Sequence, residues 1–342
     1  MMMMDEELRG LNVAVLLPCY NEGASIAGVV AGFHAVLPSA RIYVYDNNST
    51  DDTSAEAKRA GAIVVPSRRQ GKGNVVRQMF ADIEADVYVM ADGDGTYDPI
   101  AAPQMVRKLL EERCDMIVGT RRDVTQDAGR KGHAFGNRLF NGIYQSLFGN
   151  DFSDIFSGYR AFSRRFAKSF PASSPGFEIE TEMSVHASIL RLPVSEMEFT
   201  YGRRQEGSVS KLSTFRDGLR ILRMMVLLVK ETRPFAFFGA ISALLFLGCI
   251  GFAAPVVLGY MATGSVDRFP TWILSMTLLL AAMMTFIAGV ILDSVARGRI
   301  EQKRIHYLSI PTARGERTLL GATPLHDRRG DQMGSVRHRR AE

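Results

Sequence analysis

Two apolar stretches near the carboxyl-terminal end constrain this chain more than any other feature. Phe235 to Tyr260 and Trp272 to Leu292 contain no Asp, Glu, Lys or Arg. Each exceeds the ~20 residues with which a helix crosses the apolar centre of a bilayer. A core helix of a soluble protein is the competing reading, but two adjacent uncharged runs of this length favour a pair of spans. Pro255 and the glycines of the first run are better tolerated in membrane helices than in soluble ones. The segment Met261 to Thr271 between the runs is short, and its Asp267 and Arg268 nearly cancel. Lys230 and Arg233 precede the pair, whereas Arg297, Arg299, Lys303 and Arg304 follow it. This asymmetry predicts both flanks on the cytoplasmic side and the short loop outside.

The remaining composition agrees with a cytoplasmic domain tethered to a membrane. Met1 to Gly10 is acidic without an apolar stretch, so no signal peptide is expected. Cys19, Cys114 and Cys249 are scattered, which supplies neither a disulfide framework nor a zinc cluster. The formal net charge of +5 comes largely from residues near the apolar runs and from the tail. Attraction to anionic lipid headgroups explains that placement. Nucleic acid is a poor partner, because no recognised motif or aromatic-interleaved basic patch accompanies the charge. Thr312 to Glu342, rich in Arg and Gly and poor in apolar residues, is expected to be disordered.

Before the apolar runs, short apolar segments alternate with amphipathic ones. Val13–Leu17, Arg41–Tyr45, Ala62–Val65, Val87–Met90 and Met116–Val118 read as strands. Ser25–Val36, Thr53–Ala60, Asn74–Ile83 and Pro99–Glu112 read as helices. Such alternation predicts a mostly parallel sheet flanked by helices. Ligands of these sheets bind beyond the carboxyl ends of the strands, where strand order reverses. Three polar segments follow predicted strands and should meet at that edge: Pro18 to Glu22, Asp46 to Asp52, and Asp92-Gly93-Asp94. Later, Phe135–Phe148 and Thr214–Lys230 have apolar residues near helical spacing with basic residues among them. The second is expected to lie in the headgroup layer as an amphipathic helix, against the alternative of a core-facing helix with a solvated basic side.

Asp92 and Asp94 stand where a buried strand ends. Two carboxylates so placed suit Mg²⁺, which usually takes one or two carboxylates and completes its shell with substrate phosphates. A solvated turn is the alternative. Other motifs fail. Gly71-Lys72-Gly73 lacks the third glycine of a dinucleotide fingerprint and the Lys-Ser/Thr of a Walker loop. Asp92 to Asp98 begins like a calcium loop, but Tyr97 stands at the required glycine and Pro103 at the bidentate glutamate. No Ser-His-Asp arrangement is apparent.

Taken together, Leu16-Leu17-Pro18-Cys19-Tyr20-Asn21-Glu22, Asp46 to Thr53, Gly71-Lys72-Gly73 and Asp92-Gly93-Asp94 resemble family 2 glycosyltransferases. Asp154 to Arg160 and Arg204 to Leu212 narrow the resemblance to the polyprenyl-phosphate glycosyltransferases, which include dolichol-phosphate mannose synthases and bactoprenol glucosyltransferases. The resemblance implies a GT-A fold. It implies a nucleotide-sugar pocket formed by Pro18, Tyr20, Glu22 and Asp46, with Lys72 near the nucleotide or its diphosphate. Asp92 and Asp94 would hold Mg²⁺ or Mn²⁺, Asp94 more directly. Family members often carry Gln two residues after the second aspartate, where this chain has Thr96. On the acceptor side the matching positions are Arg121, Arg130 or Lys131, and Asn137. Arg203 or Arg204, with Ser210 and Lys211, matches a loop that closes over diphosphate and acceptor.

The implied reaction is an inverting, metal-dependent transfer from a nucleotide-sugar to a polyprenyl phosphate at the cytoplasmic membrane, with a UDP-sugar favoured over GDP-mannose. Asp94, Arg204 and Lys211 would carry it. A phosphate monoester is largely dianionic at neutral pH, its second pKa being about 6, so the acceptor needs no protein base. Glu178 and Glu180 are therefore expected to orient basic groups or to open the following helix. Asp154 would neutralise Arg160 or organise the loop beside the metal. A transferase using a hydroxyl-bearing lipid and a non-catalytic membrane scaffold remain as alternatives, and a homo-oligomer stays open. The expected organisation is a catalytic domain over 1–210, a juxtamembrane amphipathic helix over 211–233, a two-span hairpin over 234–296 and a basic tail over 297–342.

Overall fold

The structure is a computed structural model that describes residues 10–121, 141–199 apart from 143 and 147, 223, and 226–311. A seven-stranded sheet forms its centre, in the order β3-β2-β1-β4-β6-β5-β7. The strands are β1 Val13–Cys19, β2 Arg41–Asp46, β3 Ile63–Pro66, β4 Val87–Met90, β5 Met116–Arg121, β6 Arg160–Ser163 and β7 Val194–Phe199. Only β6 is antiparallel to its neighbours, β4 and β5. The helices are α1 Ile26–Val36, α2 Thr53–Arg59, α3 Lys72–Asp82, α4 Ala102–Glu111, α5 Arg164–Ser169, α6 Ile179–Leu190, α7 Pro234–Thr263 and α8 Phe269–Ser309.

Helices cover both faces of the sheet, which is why its central strands read as unbroken apolar runs. Val13, Val15 and Leu17 face one core with Val30 and Phe33 of α1. Ala14 and Leu16 face the other, with Val76 and Met79 of α3. The chain proceeds outward from β1 through β2 to β3, then returns to place β4 on the opposite side of β1. The order therefore reverses between β1 and β4, the location of a ligand crevice in open α/β sheets. Registers Cys19↔Asp46 and Asp46↔Pro66 align the carboxyl ends of β1, β2 and β3. Because β6 runs backward, its first residue, Arg160, pairs with Met90 and Val118 near that same edge.

Helices α7 and α8 are long and apolar enough to cross a membrane, and only 11% and 17% of their most apolar windows are buried. Core helices of a soluble domain would be largely covered. Where they touch, α8 presents buried Ser275, Ala282, Gly289 and Ala296 at seven-residue spacing. Helix α7 answers with Ser242, Cys249 and Val256 at the same spacing. Small residues at a heptad repeat let two helices approach closely. A Cβ on Gly289 would stand 3.0 Å from Cβ of Phe238. Ser242 Oγ donates to the Ala282 carbonyl at 2.8 Å.

Helix α8 continues past the apolar stretch to Ser309, so the expected boundary at 297 falls inside it. Its last turns dock on the sheet domain. Ile300 and Tyr307 pack against the α3 side core. Tyr307 Oη donates to Asp115 Oδ2 at 2.7 Å, and Arg165 Nε donates to the Ile310 carbonyl at 2.9 Å. Asp115 immediately precedes β5, so this contact lies at the edge opposite the carboxyl ends of the parallel strands.

Candidate active site

The loops after β1, β2 and β3 are stitched to one another by side-chain bonds to backbone groups. Asp46, at the end of β2, accepts from Ser49 N at 2.9 Å and from Ser54 Oγ at 2.5 Å. Asn47 donates to the carbonyls of Ser67 and Arg69 at 3.0 and 2.7 Å and accepts from Gly71 N at 2.7 Å. Asn21, left-handed at φ 51, accepts from Thr50 N at 2.8 Å, while its own N–H donates to Ser49 Oγ at 2.9 Å. Glu22 N donates to Thr53 Oγ1 at 2.8 Å, and Gly23 N to Asp51 Oδ2 at 2.9 Å. These bonds fix the loops beside exposed Tyr20. A carboxylate offers about four acceptor positions, so Asp46 keeps capacity for a base or ribose donor.

Asp92 and Asp94 follow β4 at the switch point. The glycine between them is required by packing: a Cβ on Gly93 would meet Cys19 Sγ at 2.5 Å. Asp94 is buried, and its Oδ1 accepts from Thr96 N at 3.1 Å and Thr96 Oγ1 at 2.6 Å. Thr96 thus aims the carboxylate. Asp92 Oδ1 accepts from Lys72 Nζ at 2.5 Å, and the same ammonium lies 2.5 Å from Glu180 Oε1. Burial opposes the charge on Lys72, but the two carboxylates outweigh it and hold the ammonium protonated. Burial pushes the Glu180 carboxyl upward, with Lys72 only partly offsetting that effect.

Lys72 reaches this position because of the glycines flanking it. Gly71 has φ +123, and a Cβ there would lie 2.2 Å from the Pro175 carbonyl oxygen. On Gly73 a Cβ would lie 1.9 Å from the Ser174 carbonyl oxygen. Gly-Lys-Gly is therefore a backbone-on-backbone seat. The 173–175 segment is itself held by Glu182, which accepts from Ser173 N at 2.9 Å and Ser174 N at 2.7 Å. Gly158 closes the other side: a Cβ there would stand 3.0 Å from both Asp92 Oδ2 and Lys72 Nζ.

Arg160 lies behind this pair, fully buried. It donates to the carbonyls of Ser157 and Ile155 at 2.8 and 2.9 Å and to Ser184 Oγ at 3.0 Å. Burial draws its pKa down against the opposing pull of Glu180 and Asp154. Asp154 Oδ1 also accepts from Phe156 N at 3.1 Å, so it both faces Arg160 and shapes the loop before it. Further along α6, His186 is edge-on to Phe166 and Phe170, with Nε2 unpaired among the described residues. Burial, reinforced by the charge of Lys303, lowers its pKa to about 3.

The structure thus brings Pro18, Tyr20, Glu22, Asp46, Lys72, Asp92 and Asp94 to one edge of the sheet. Arg121 ends β5 on that edge. Arg130, Lys131, Asn137, Arg203, Arg204, Ser210 and Lys211 lie outside the described residues. Sequence reasoning left unassigned the seat of Gly71 and Gly73 on 174–175, the Glu182 clasp and the cover provided by Gly158. Alternate glutamates in Phe177 to Glu182 were the available signal. Among the described residues no three His, Cys, Asp or Glu side chains form a ready-made metal cage. Asp92 and Asp94 are nevertheless hard oxygen donors suited to an ion that substrate phosphates complete.

A mostly parallel sheet with an acidic pair at its switch point, followed by two long apolar helices, defines a GT-A-type domain with candidate spans attached. The chain belongs to glycosyltransferase family 2 and is a glycosyltransferase. Residues 14–170 match Glycosyl transferase family 2. Glycosyltransferase AglJ of Haloferax volcanii is 34% identical over 299 residues, covering 86% of this chain and 98% of that protein. Protein RfbJ of Shigella flexneri is 51% identical over 123 residues, 36% of this chain and 95% of RfbJ. Dodecaprenyl-phosphate galacturonate synthase of Rhizobium johnstonii is 24% identical over 316 residues, covering 86% and 90%. Among solved structures, glucosyl-3-phosphoglycerate synthase from Mycobacterium tuberculosis, in complex with Mn²⁺, UDP and glucosyl-3-phosphoglycerate, superposes with a TM-score of 0.54. That likeness has 23% identity and covers 65% of this chain and 82% of the other, which establishes the fold alone.

Proposed function

We propose that this glycosyltransferase moves a sugar from a nucleotide-sugar, most simply a UDP-sugar, to a polyprenyl phosphate at the cytoplasmic face of a membrane. The observation that carries the reading is the meeting of Asp92, Asp94 and Lys72 at the switch point of a sheet domain docked on a two-helix apolar hairpin. The Rhizobium relative's name supports a polyprenyl-phosphate acceptor. The Mn²⁺ and UDP bound in the mycobacterial neighbour support a divalent cation and a uridine nucleotide.

The pocket shaped by Pro18, Tyr20, Glu22 and Asp46 binds the nucleoside, with Asp46 accepting from base or ribose. Asp94, aimed by Thr96, and Asp92 hold Mg²⁺ or Mn²⁺. When bound, the cation offsets the charge that develops on the departing diphosphate. A phosphate oxygen of the acceptor attacks the anomeric carbon as the bond to the diphosphate oxygen breaks, with inversion and no protein base. Arg121, Arg130, Lys131, Asn137 and Ser210 position the acceptor phosphate. Arg204 and Lys211 close over both phosphate groups, since arginine presents a planar fork and lysine a compact charge. Residues 1–210 form the catalytic domain and 211–233 the interfacial helix. Residues 234–296 hold the enzyme beside its acceptor, and the basic stretch 297–342 lies in the cytoplasm.

The test incubates the full-length protein in detergent with undecaprenyl phosphate, Mg²⁺ or Mn²⁺, and labelled UDP- and GDP-sugars. Label entering the organic phase with one donor, absent without metal and in Asp94→Asn, is the expected result. Nucleotide binding without labelling by any donor overturns the phosphate acceptor in favour of a hydroxyl lipid or a scaffold.

A further inference from the structure

Lys72 Nζ lies 2.5 Å from an oxygen of Asp92 and 2.5 Å from an oxygen of Glu180. Its side chain is 8% exposed and that of Glu180 5%, whereas Asp92 is 31% exposed and opens to the cleft. One positive charge is thus divided between a carboxylate at the site and one behind it. The second oxygen of Glu180, Oε2, is buried without a hydrogen-bond partner among the described residues. Arg160, the other buried cation nearby, directs its bonds to Ser157, Ile155 and Ser184 instead. A buried glutamate contributing one ion pair and an unbonded oxygen is poorly explained by stability alone, because burying a carboxylate is unfavourable.

We infer that Glu180 is a positioning residue for the transfer: by drawing on the Lys72 ammonium from behind, it keeps Lys72 from neutralising Asp92. The inference rests on the proposed role of Asp92 at a cation. Lys72 takes Oδ1 of Asp92, and Oδ2, beside Gly158, remains for a divalent ion. Without the Glu180 charge, Lys72 pairs wholly with Asp92, which then becomes a weaker ligand. Glu180 touches no reacting atom in this scheme and acts through Lys72.

The direction of the effect gives a test independent of turnover. Mn²⁺ is titrated into the full-length protein in detergent, with and without UDP, and bound ion is followed by electron paramagnetic resonance. Glu180→Gln is expected to weaken Mn²⁺ binding about tenfold, the lower range for residues supporting metal ligands. Glu180→Asp keeps the charge and should stay near wild type. The double variant Glu180→Gln with Lys72→Met removes the competing ammonium and should recover affinity in the UDP-free titration. Equal affinity of Glu180→Gln and wild type overturns the inference alone, as does a double variant as weak as Glu180→Gln. If Glu180→Gln does not fold, as judged by far-ultraviolet circular dichroism, Lys72→Met decides. Its Mn²⁺ affinity without UDP should equal or exceed wild type, and a weaker value overturns the inference. Failure of the wild type to bind Mn²⁺ even with UDP overturns the metal-site reading itself and this inference with it.

Discussion

The two sides of the crevice are built by opposite means. On the β1–β3 side, part-exposed Asp46 and Asn21, exposed Asp51 and the buried but uncharged Asn47 spend their polar atoms on neighbouring loops. On the β4–β6 side, Lys72, Glu180 and Arg160 are buried charges that depend on one another. The first arrangement fixes a shape and tolerates loss of one bond. The second stores charge where water cannot screen it, so removal of one member leaves its partners uncompensated. Recognition of a nucleotide suits the former, and response to developing phosphate charge suits the latter.

That contrast is most easily broken with Arg160→Met. The substitution removes donors from two carbonyls and a hydroxyl and should destabilise the protein by about 3–5 kcal/mol, as when one partner of a buried charge set is lost. Asp46→Asn should lower stability by about 1 kcal/mol or less. Denaturant melts that shift equally for both would abolish the distinction. Next in size, Asp94→Asn should reduce lipid labelling about 100-fold, the scale of one lost electrostatic contact to the transition state. Its melting temperature in the absence of metal should scarcely change. Asp46→Asn should raise the donor KM about tenfold at nearly constant kcat, the worth of one hydrogen bond to a charged group; a fall in kcat alone would move Asp46 to the chemical step.

The remaining effect concerns pH. His186 is held neutral in the fold, with its pKa at about 3. The unfolded chain therefore takes up a proton near pH 6.5 that the folded chain refuses. Stability contributed by the neutral ring is complete above pH 6.5 and is lost as pH falls toward 3, at up to about 1.4 kcal/mol per pH unit. His186→Phe should flatten this limb in stability measured between pH 6.5 and 5. An unchanged slope would show that the buried side does not carry it.

Much of this architecture was legible because local pattern and global position agree. Strands β1 to β5 announce themselves as apolar runs, and the polar segments after them do meet at one edge. Strand β6 leaves no such mark, since Arg160-Ala161-Phe162-Ser163 is four residues long and begins with a buried charge. Strand β7, Val-Ser-Glu-Met-Glu-Phe, is only half-buried and reads as neither a run nor a clean alternation. The glycines around Lys72 stand out in the sequence, but their reason lies in Ser174 and Pro175, about a hundred residues onward. Pairing between Lys72 and Glu180 is similarly long-range. Opposite charges far apart in sequence carry no local signature of their meeting.

Helix α8 runs without a break from the apolar hairpin to its contact with Asp115. Ten residues separate Arg297 from Tyr307, about 15 Å of helical rise. Because the rod is continuous, its length and its rotational phase are inseparable. Each residue inserted there would lift the docking face by about 1.5 Å and turn it by about 100°. An insertion of one residue would carry Tyr307 away from Asp115, whereas seven residues would return it within about 20° while adding about 10 Å. The stretch therefore acts as a vernier: its permitted lengths are discrete, and height above the hairpin changes only by insertions near whole turns, such as about seven or about eleven residues.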